Sequence, residues 1–308
     1  MTQTRPGGYD ADELRTVLVG ACRQAGLNAS GATLIRGQTH TVFRLDRHPV
    51  LVKVARRGTP VSEVRRTVRL ARWLADRGIP VAPLYPLEVQ PVVVDGHAVT
   101  LWRYLDQPSA PVPAEALGKP LQGLHQLPRP PIALPALNAI AAIRRSVEQA
   151  SALHVVARDE LMQRAELLEA RLRTVDFAFP EAVLHTDPQH GNPLHDESGV
   201  ALCDWGSARW GQPEWDLVTV EVHCRRFGYG QTHYRAFAKA YGWNVTGWSG
   251  YDVFRDLREL RVITTNACKA SHAPEVPAFW TPGSPSTTSP CSRSPGGAIP
   301  MSSPAWRP

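Results

Sequence analysis

Residues 183–205 read VLHTDPQHGNPLHDESGVALCDW, and the rest of the chain is best understood outward from this stretch. Val183 and Leu184 read as a short buried strand that delivers Asp187 into a loop, and Pro188 and Gly191 suit an irregular loop better than a helix. After Asn192, PLH and VALC can pair as two strands across a turn made by Asp196-Glu197-Ser198-Gly199. Such a hairpin reverses the chain, so Asn192 at its start and Asp204 at its end return to neighbouring positions. An amide oxygen and a carboxylate side by side are hard oxygen ligands of the kind Mg²⁺ takes. Asp187, five residues before Asn192, can accept a proton from a nearby hydroxyl.

Upstream, DELRTVLVGACRQA (12–25) carries apolar residues at helical spacing, with Gly26 as a stop. TVFRL and VLVKVA, separated by DRHP, read as an antiparallel hairpin. SEVRRTVRLARWLADR (62–77) reads as an amphipathic helix with Ser62 as N-cap and Gly78 as C-terminal stop. Two further strands fall around PLEVQPVVVDG and HAVTLWRYL. Frequent proline follows residue 103, with a short helix near 114–127 and one long helical pattern over 136–174. Helices resume from 214 to 272. The expected division is a nucleotide-binding lobe over 1–103, a catalytic and acceptor-binding lobe over 104–280, and a disordered tail over 281–308. Those last 28 residues hold seven Pro, seven Ser and three Gly, a composition that buries too little to offset ordering entropy.

Composition narrows the function. The 308 residues are 43% hydrophobic, 20% charged and 7% aromatic, enough for a packed core. No apolar run reaches the roughly 18 residues of a membrane span, the N-terminus has no secretory pattern, and the cysteines are scattered. A cytoplasmic protein with reduced thiols is the expectation. The net charge of +6 comes mostly from Arg (30 of 34 basic residues), dispersed among acids without a polybasic block, which argues against nucleic acid as a partner. Lysine is scarce: Lys53 is the only one before residue 119. His185, His190 and His195 recur every five residues, a spacing that fits neither a helix pair nor a strand face for zinc.

H-x-D-x4-N followed by a hairpin and an apolar-Asp-aromatic triplet resembles the aminoglycoside phosphotransferase and choline kinase family. LVKVA, ARWLADRGIPVAP, LHQLP and PEWDL, in that order, extend the resemblance over roughly residues 30 to 270. It implies an α+β, bilobal protein-kinase-like fold with a small antiparallel-sheet N-lobe and a mainly helical C-lobe. It also implies an ATP- and Mg²⁺-dependent phosphotransferase acting on a hydroxyl of a small molecule. By the same resemblance Asp187 is the catalytic residue, and Asn192 and Asp204 hold Mg²⁺. Lys53 contacts the α/β-phosphates, Gly37, Gln38 and Thr39, with His40, form the turn over the phosphates, and Trp102 to Leu105, including Tyr104, form the hinge beside adenine.

Three positions depart from the family pattern. Thr186 stands where Gly is usual, the nucleotide loop has the single glycine Gly37, and Thr67 occupies the place of the Glu that pairs with the lysine. Glu63, one turn earlier on the same face, is an alternative partner. These departures motivate a second reading, a catalytically weak or silent nucleotide-binding regulator of the same fold. Residues 205–280 carry nine Lys/Arg against seven Asp/Glu, which disfavours a polycationic acceptor. Neither the acceptor nor the oligomeric state is specified by these residues.

Overall fold

The computed structural model describes residues 6–37, 40–197 and 199–272. The Pro/Ser-rich stretch from Thr281 and two residues expected over the phosphates, Gln38 and Thr39, lie outside them. Helix α1 (Ala11–Gln24) begins where the Asp10 side chain accepts from Glu13 N at 2.8 Å, and the chain leaves it through Gly26 at φ +68°. Strands β1 (Thr33–Arg36), β2 (Thr41–Arg44), β3 (Val50–Val54), β4 (Val92–Val94) and β5 (His97–Arg103) form one antiparallel sheet in the order β1-β2-β3-β5-β4. The two-residue period explains its faces. Val50, Val52 and Val54 of β3, with Val99 and Leu101 of β5, are buried in one cluster with Val17, Leu18 and Ala21 of α1. The alternate residues Leu51 and Lys53 face the other way, with Lys53 paired to Val42 on one side and Thr100 on the other.

Helix α2 (Val61–Ala75) starts one residue earlier than the sequence suggests. Pro60 is its N-cap, with no side-chain capping bond, and Ser62 lies inside the first turn. The fixed φ of Pro60 organises the entry, and Gly78 at φ +77° ends it as expected. Leu70, Trp73 and Leu74 of this helix are buried in the core of the helical lobe.

That lobe contains α3 (Glu115–His125), α4 (Ala139–Gln149), α5 (Val155–Leu172), α6 (Glu214–Arg226), α7 (Gln231–Tyr241) and α8 (Tyr251–His272). Strands β6 (Ala182–Leu184) and β9 (Arg209–Gly211) pair, as do β7 (Pro193–Asp196) and β8 (Gly199–Leu202). The long helical pattern of 136–174 is two helices: Ala150 (φ −80°, ψ 80°) leaves α-geometry, and His154 opens α5 by accepting from Val156 N. Helical periodicity survives the break because both segments bury their apolar side in the same core. The segment after α2 joins the lobes. Val81 bridges Leu202 in parallel, with Ala82 N donating to Leu202 O at 2.9 Å and Leu202 N to Pro80 O at 2.7 Å. Among the described residues no helix is long and apolar enough to cross a membrane.

Helices α3 and α7 meet at Gly118, where an added Cβ would lie 2.5 Å from Ala240 Cβ and 2.7 Å from Tyr241 N. Alanine normally gains about 1 kcal/mol over glycine inside a helix, but here it collides with backbone. Gly118→Ala is therefore expected to lose about 1–3 kcal/mol of stability through overpacking, read from chemical denaturation midpoints.

Candidate active site

The loop after β6 is held by one buried carboxylate. Asp216, in the first turn of α6 and fully buried, accepts from His185 N (Oδ2, 2.8 Å) and Thr186 N (Oδ1, 2.8 Å). His125 of α3 lies 3.2 Å from the same Oδ2 through Nε2, and its Nδ1 meets Tyr241 Oη at 3.0 Å. Trp215 Nε1 donates to Thr186 O at 3.0 Å. Thus Asp216, His125 and Trp215 are the fixtures of the loop.

Thr186 has φ +71°, a left-handed conformation that a β-branched residue adopts at a cost of about 1–2 kcal/mol. The position thus takes the backbone that glycine would supply, and the threonine adds a bond that glycine lacks. Its Oγ1 donates to Ser207 O at 3.0 Å, while Ser207 Oγ donates back to His185 O at 3.2 Å. His185 serves the loop rather than a metal: Nε2 bonds Cys203 O at 2.8 Å, and Asp187 N donates to Nδ1 at 3.4 Å.

The hairpin closes as its sequence implies. Pro193 pairs with Leu202, and Cys203 N donates to Asn192 O at 2.9 Å, which brings Asp204 beside Asn192. Asn192 Nδ2 is committed to Asp187, at 2.7 Å to the backbone oxygen and 3.3 Å to Oδ2. That fixes the amide so that its oxygen is turned away from Asp187, available as a hard ligand. Asp204 sits at φ +66° and its Oδ1 receives Lys53 Nζ at 2.8 Å. The ammonium holds the Asp204 carboxyl far below the usual carboxylate range, against the opposing effect of burial. Lys53 thus pairs with Asp204; Glu63 is exposed, and Thr67 Oγ1 donates to the Glu63 carbonyl within its own helix.

Thr100 and Trp102 lie on the Lys53 face of the sheet, with Trp102 opposite Leu51 and its Nε1 donating to Thr100 Oγ1 at 2.9 Å. Tyr104 follows, its ring under the Arg44 guanidinium at 4.2 Å. Gly37 ends the β1 side of the loop, its carbonyl accepting from Gly7 N at 3.2 Å. His40 lies near Lys53 and Asp204; burial first, then the Lys53 charge, push its pKa down to about 4.

Asp187 itself carries a partner that no motif announces. Arg258 of α8, 93% buried, donates through Nη2 to Asp187 Oδ1 at 2.5 Å. Burial raises the Asp187 pKa, but the Arg258 charge, with His223 and His185, outweighs it and holds the group below the normal carboxylate value. On the far side stand aromatic rings: His190 stacks on Tyr229 (centroids 3.5 Å apart, planes within 6°) and on His233 (5.1 Å). His223 stacks on Phe227 and is depressed to about 3, by burial first and then by Arg258. Sequence reasoning missed Arg258 because it is 71 positions from Asp187 and no motif surrounds it.

Among the described residues no group of three His, Cys, Asp or Glu side chains is placed to hold a metal. The oxygens of Asn192 and Asp204 are a donor set suited instead to Mg²⁺ that keeps waters and takes phosphate oxygens. His190 and His195 are engaged apart from one another, His190 in the ring stack and His195 Nε2 with Ala110 O at 3.0 Å, so the histidine series forms no zinc site.

Residues 32–257 match the model of the phosphotransferase enzyme family. No curated protein sequence matches. Among solved structures, a choline/ethanolamine kinase family protein from Mesorhizobium loti is similar at 19% identity and TM-score 0.57, covering 87% of this chain and 96% of its own. The aminoglycoside-3'-phosphotransferase of type VIII is similar at 23% identity and TM-score 0.57, covering 79% and 98%. Amicoumacin kinase hAmiN, in complex with AMP-PNP, Ca²⁺ and Ami, is similar at 14% identity and TM-score 0.60, covering 84% and 86%. The two-lobed arrangement of antiparallel sheet and helices is the kinase-like fold of these proteins.

Two measurements probe this arrangement. Asp216→Asn can satisfy only one of the two loop amides with an acceptor oxygen, so a loss of about 1–3 kcal/mol is expected in denaturant unfolding. His223 binds a proton near pH 6.5 when unfolded but only at about pH 3 when folded, so its contribution is full above 6.5 and is lost as pH falls from 6.5 toward 3. His223→Asn should flatten the decline of the unfolding midpoint between pH 7 and 5.

Proposed function

The chain belongs to the phosphotransferase enzyme family, and we propose from its site that it uses ATP and Mg²⁺ to phosphorylate a hydroxyl of a small molecule. The observation that carries this reading is the Lys53–Asp204 pair at 2.8 Å, formed beside Asn192 and across the same cleft as Asp187. Phosphoryl transfer asks mainly for positioning and charge neutralisation. Lys53 supplies a compact positive charge on a strand, where it can meet the α- and β-phosphates. Trp102, on the Lys53 face, and Tyr104, just beyond β5 with its ring under Arg44, suit a flat adenine ring, and Gly37 lies where the turn over the phosphates would begin. Bound Mg²⁺, held by the oxygens of Asn192 and Asp204, would neutralise charge on the phosphates. The AMP-PNP and Ca²⁺ in the amicoumacin kinase complex support a nucleotide and a hard cation for this site.

Asp187, kept ionised and aimed by Arg258, orients the acceptor hydroxyl and takes its proton. The bond from the γ-phosphorus to the bridging oxygen breaks and its electron pair leaves with ADP. A bond from the acceptor oxygen to phosphorus forms in line. Because Asp187 is a weak base when paired to Arg258, its larger part is orientation, which is itself a large share of such a barrier.

Incubation of the full chain with ATP, MgCl₂ and a panel of alcohols, with mass detection of the phosphate adduct, tests the reading. Transfer should vanish without the divalent cation and fall about 10²–10⁴-fold in Asp187→Asn, while stabilisation by AMP-PNP persists. Lys53→Met should lose that stabilisation. Nucleotide stabilisation without turnover on any acceptor would instead identify a silent nucleotide-binding regulator.

A further inference from the structure

The charges around Asp187 are unbalanced in one direction. Elsewhere on the helical lobe arginines meet carboxylates: Arg144 with Glu169, Arg164 with Asp256, and Arg226 with Glu259, each within 2.7 Å. Among the described residues, Arg145, Arg209 and Arg261 form no ion pair with a carboxylate. Their placement is specific. Arg261 lies one turn beyond Arg258 on α8, and its Nη1 donates to Ser146 Oγ at 2.8 Å, next to Arg145 on α4. Arg209 Nη1 donates to Ser207 O at 3.0 Å, the carbonyl that also receives Thr186 Oγ1, one residue before Asp187. Helix α4 packs along α8, which sets Arg145 and Arg261 on facing helices, while Arg209 bonds the carbonyl that Thr186 also bonds.

Like charges so close are costly. Burial and then the field of Arg258 and Arg145 lower the Arg261 pKa, and burial and then Arg66 and Arg145 act likewise on Arg209. The opposing charges are Asp187 for Arg261 and Glu63 for Arg209. Asp187 is already engaged by Arg258, whose Nε, buried, has no acceptor among the described residues. Arg209 and Arg261 are partly desolvated and make no ion pair among the described residues, a setting that an anion would complete, with Arg145 exposed at its edge. The guanidinium fork matches a carboxylate or a phosphate with two parallel bonds. A polycationic or quaternary-ammonium acceptor would meet repulsion at this place.

We propose that the acceptor alcohol carries an anionic group, a carboxylate or a phosphate, which Arg145, Arg209 and Arg261 hold while Arg258 keeps Asp187 aimed at its hydroxyl. This rests on the phosphotransfer reading above and names its acceptor class. The hydroxyl to be phosphorylated then lies on the Asp187 side of the molecule and the anion on the α4–α8 side. Electrostatic attraction also raises the rate of encounter, an effect that falls with ionic strength.

The test uses the full chain with AMP-PNP and MgCl₂ present, and measures saturable thermal stabilisation by glycerate and glycerol 3-phosphate against glycerol, choline and kanamycin. The same set is then assayed with ATP for phosphate adducts. Stabilisation by either anionic alcohol, weakened roughly 10–100-fold in apparent affinity by Arg145→Glu, supports the proposal. Arg145 is exposed, so this variant keeps its fold, whereas Arg261→Ala also removes packing and the Ser146 bond. Glycerate alone assigns the group as carboxylate, and glycerol 3-phosphate alone as phosphate. Equal or stronger binding of choline or kanamycin overturns the proposal, as does AMP-PNP stabilisation with no response to either anion. An Arg145→Glu variant that weakens AMP-PNP as much as the acceptor gives these arginines to the nucleotide and also overturns it. Absence of AMP-PNP stabilisation in the unmodified protein overturns the phosphotransfer reading itself.

Discussion

The Asp216 carboxylate is the constraint on which the site depends. Its two oxygens take the amides of His185 and Thr186, so the chain leaving β6 is fixed immediately before Asp187. Without that grip the left-handed backbone at Thr186 would relax, since strain of about 1–2 kcal/mol persists only when surrounding bonds over-determine it. Here they do: Trp215 holds the Thr186 carbonyl, Thr186 and Ser207 exchange side-chain bonds with the neighbouring backbone, and His125 meets Asp216 from α3. A buried charge is expensive unless saturated with donors, and this one is saturated by the segment it positions.

How much of this was legible in the sequence depends on how far apart the partners are. The Asn192–Asp204 approach follows from a local reversal, and turn chemistry between two apolar runs announces such reversals. The β2–β3 hairpin and the faces of β3 were legible from their alternation, and Lys53 from the near absence of other lysines. Other features depend on partners dozens of residues away. Arg258 reaches Asp187 across 71 positions, and nothing in the local pattern of α8 distinguishes it from the paired arginines beside it. Glu63 on α2 was offered as the partner of Lys53 because helix periodicity gives a face, not a distance, and the ammonium instead meets Asp204. The 136–174 pattern concealed a break because both helices turn apolar residues toward the same core.

The two sides of the cleft carry different kinds of information. On the nucleotide side the residues are sparse and chemically generic: a lysine, a glycine and two aromatic rings from the sheet, with an amide and a carboxylate from the β7–β8 hairpin. The fold is shared with proteins at 14–23% identity, and such economy is what lets one scaffold serve several acceptors. On the helical side stand stacked histidine and tyrosine rings on one wall and arginines on the other.

Helix α2 lies after the third strand of the sheet in the chain, yet Leu70, Trp73 and Leu74 belong to the helical lobe's core, and residues 80–82 are stitched to β8. The helix and the strand that leads to Asp204 therefore form one mechanical unit. A rotation of the sheet relative to that unit would part Lys53 from Asp204, so this one ammonium–carboxylate pair latches the two lobes across the cleft.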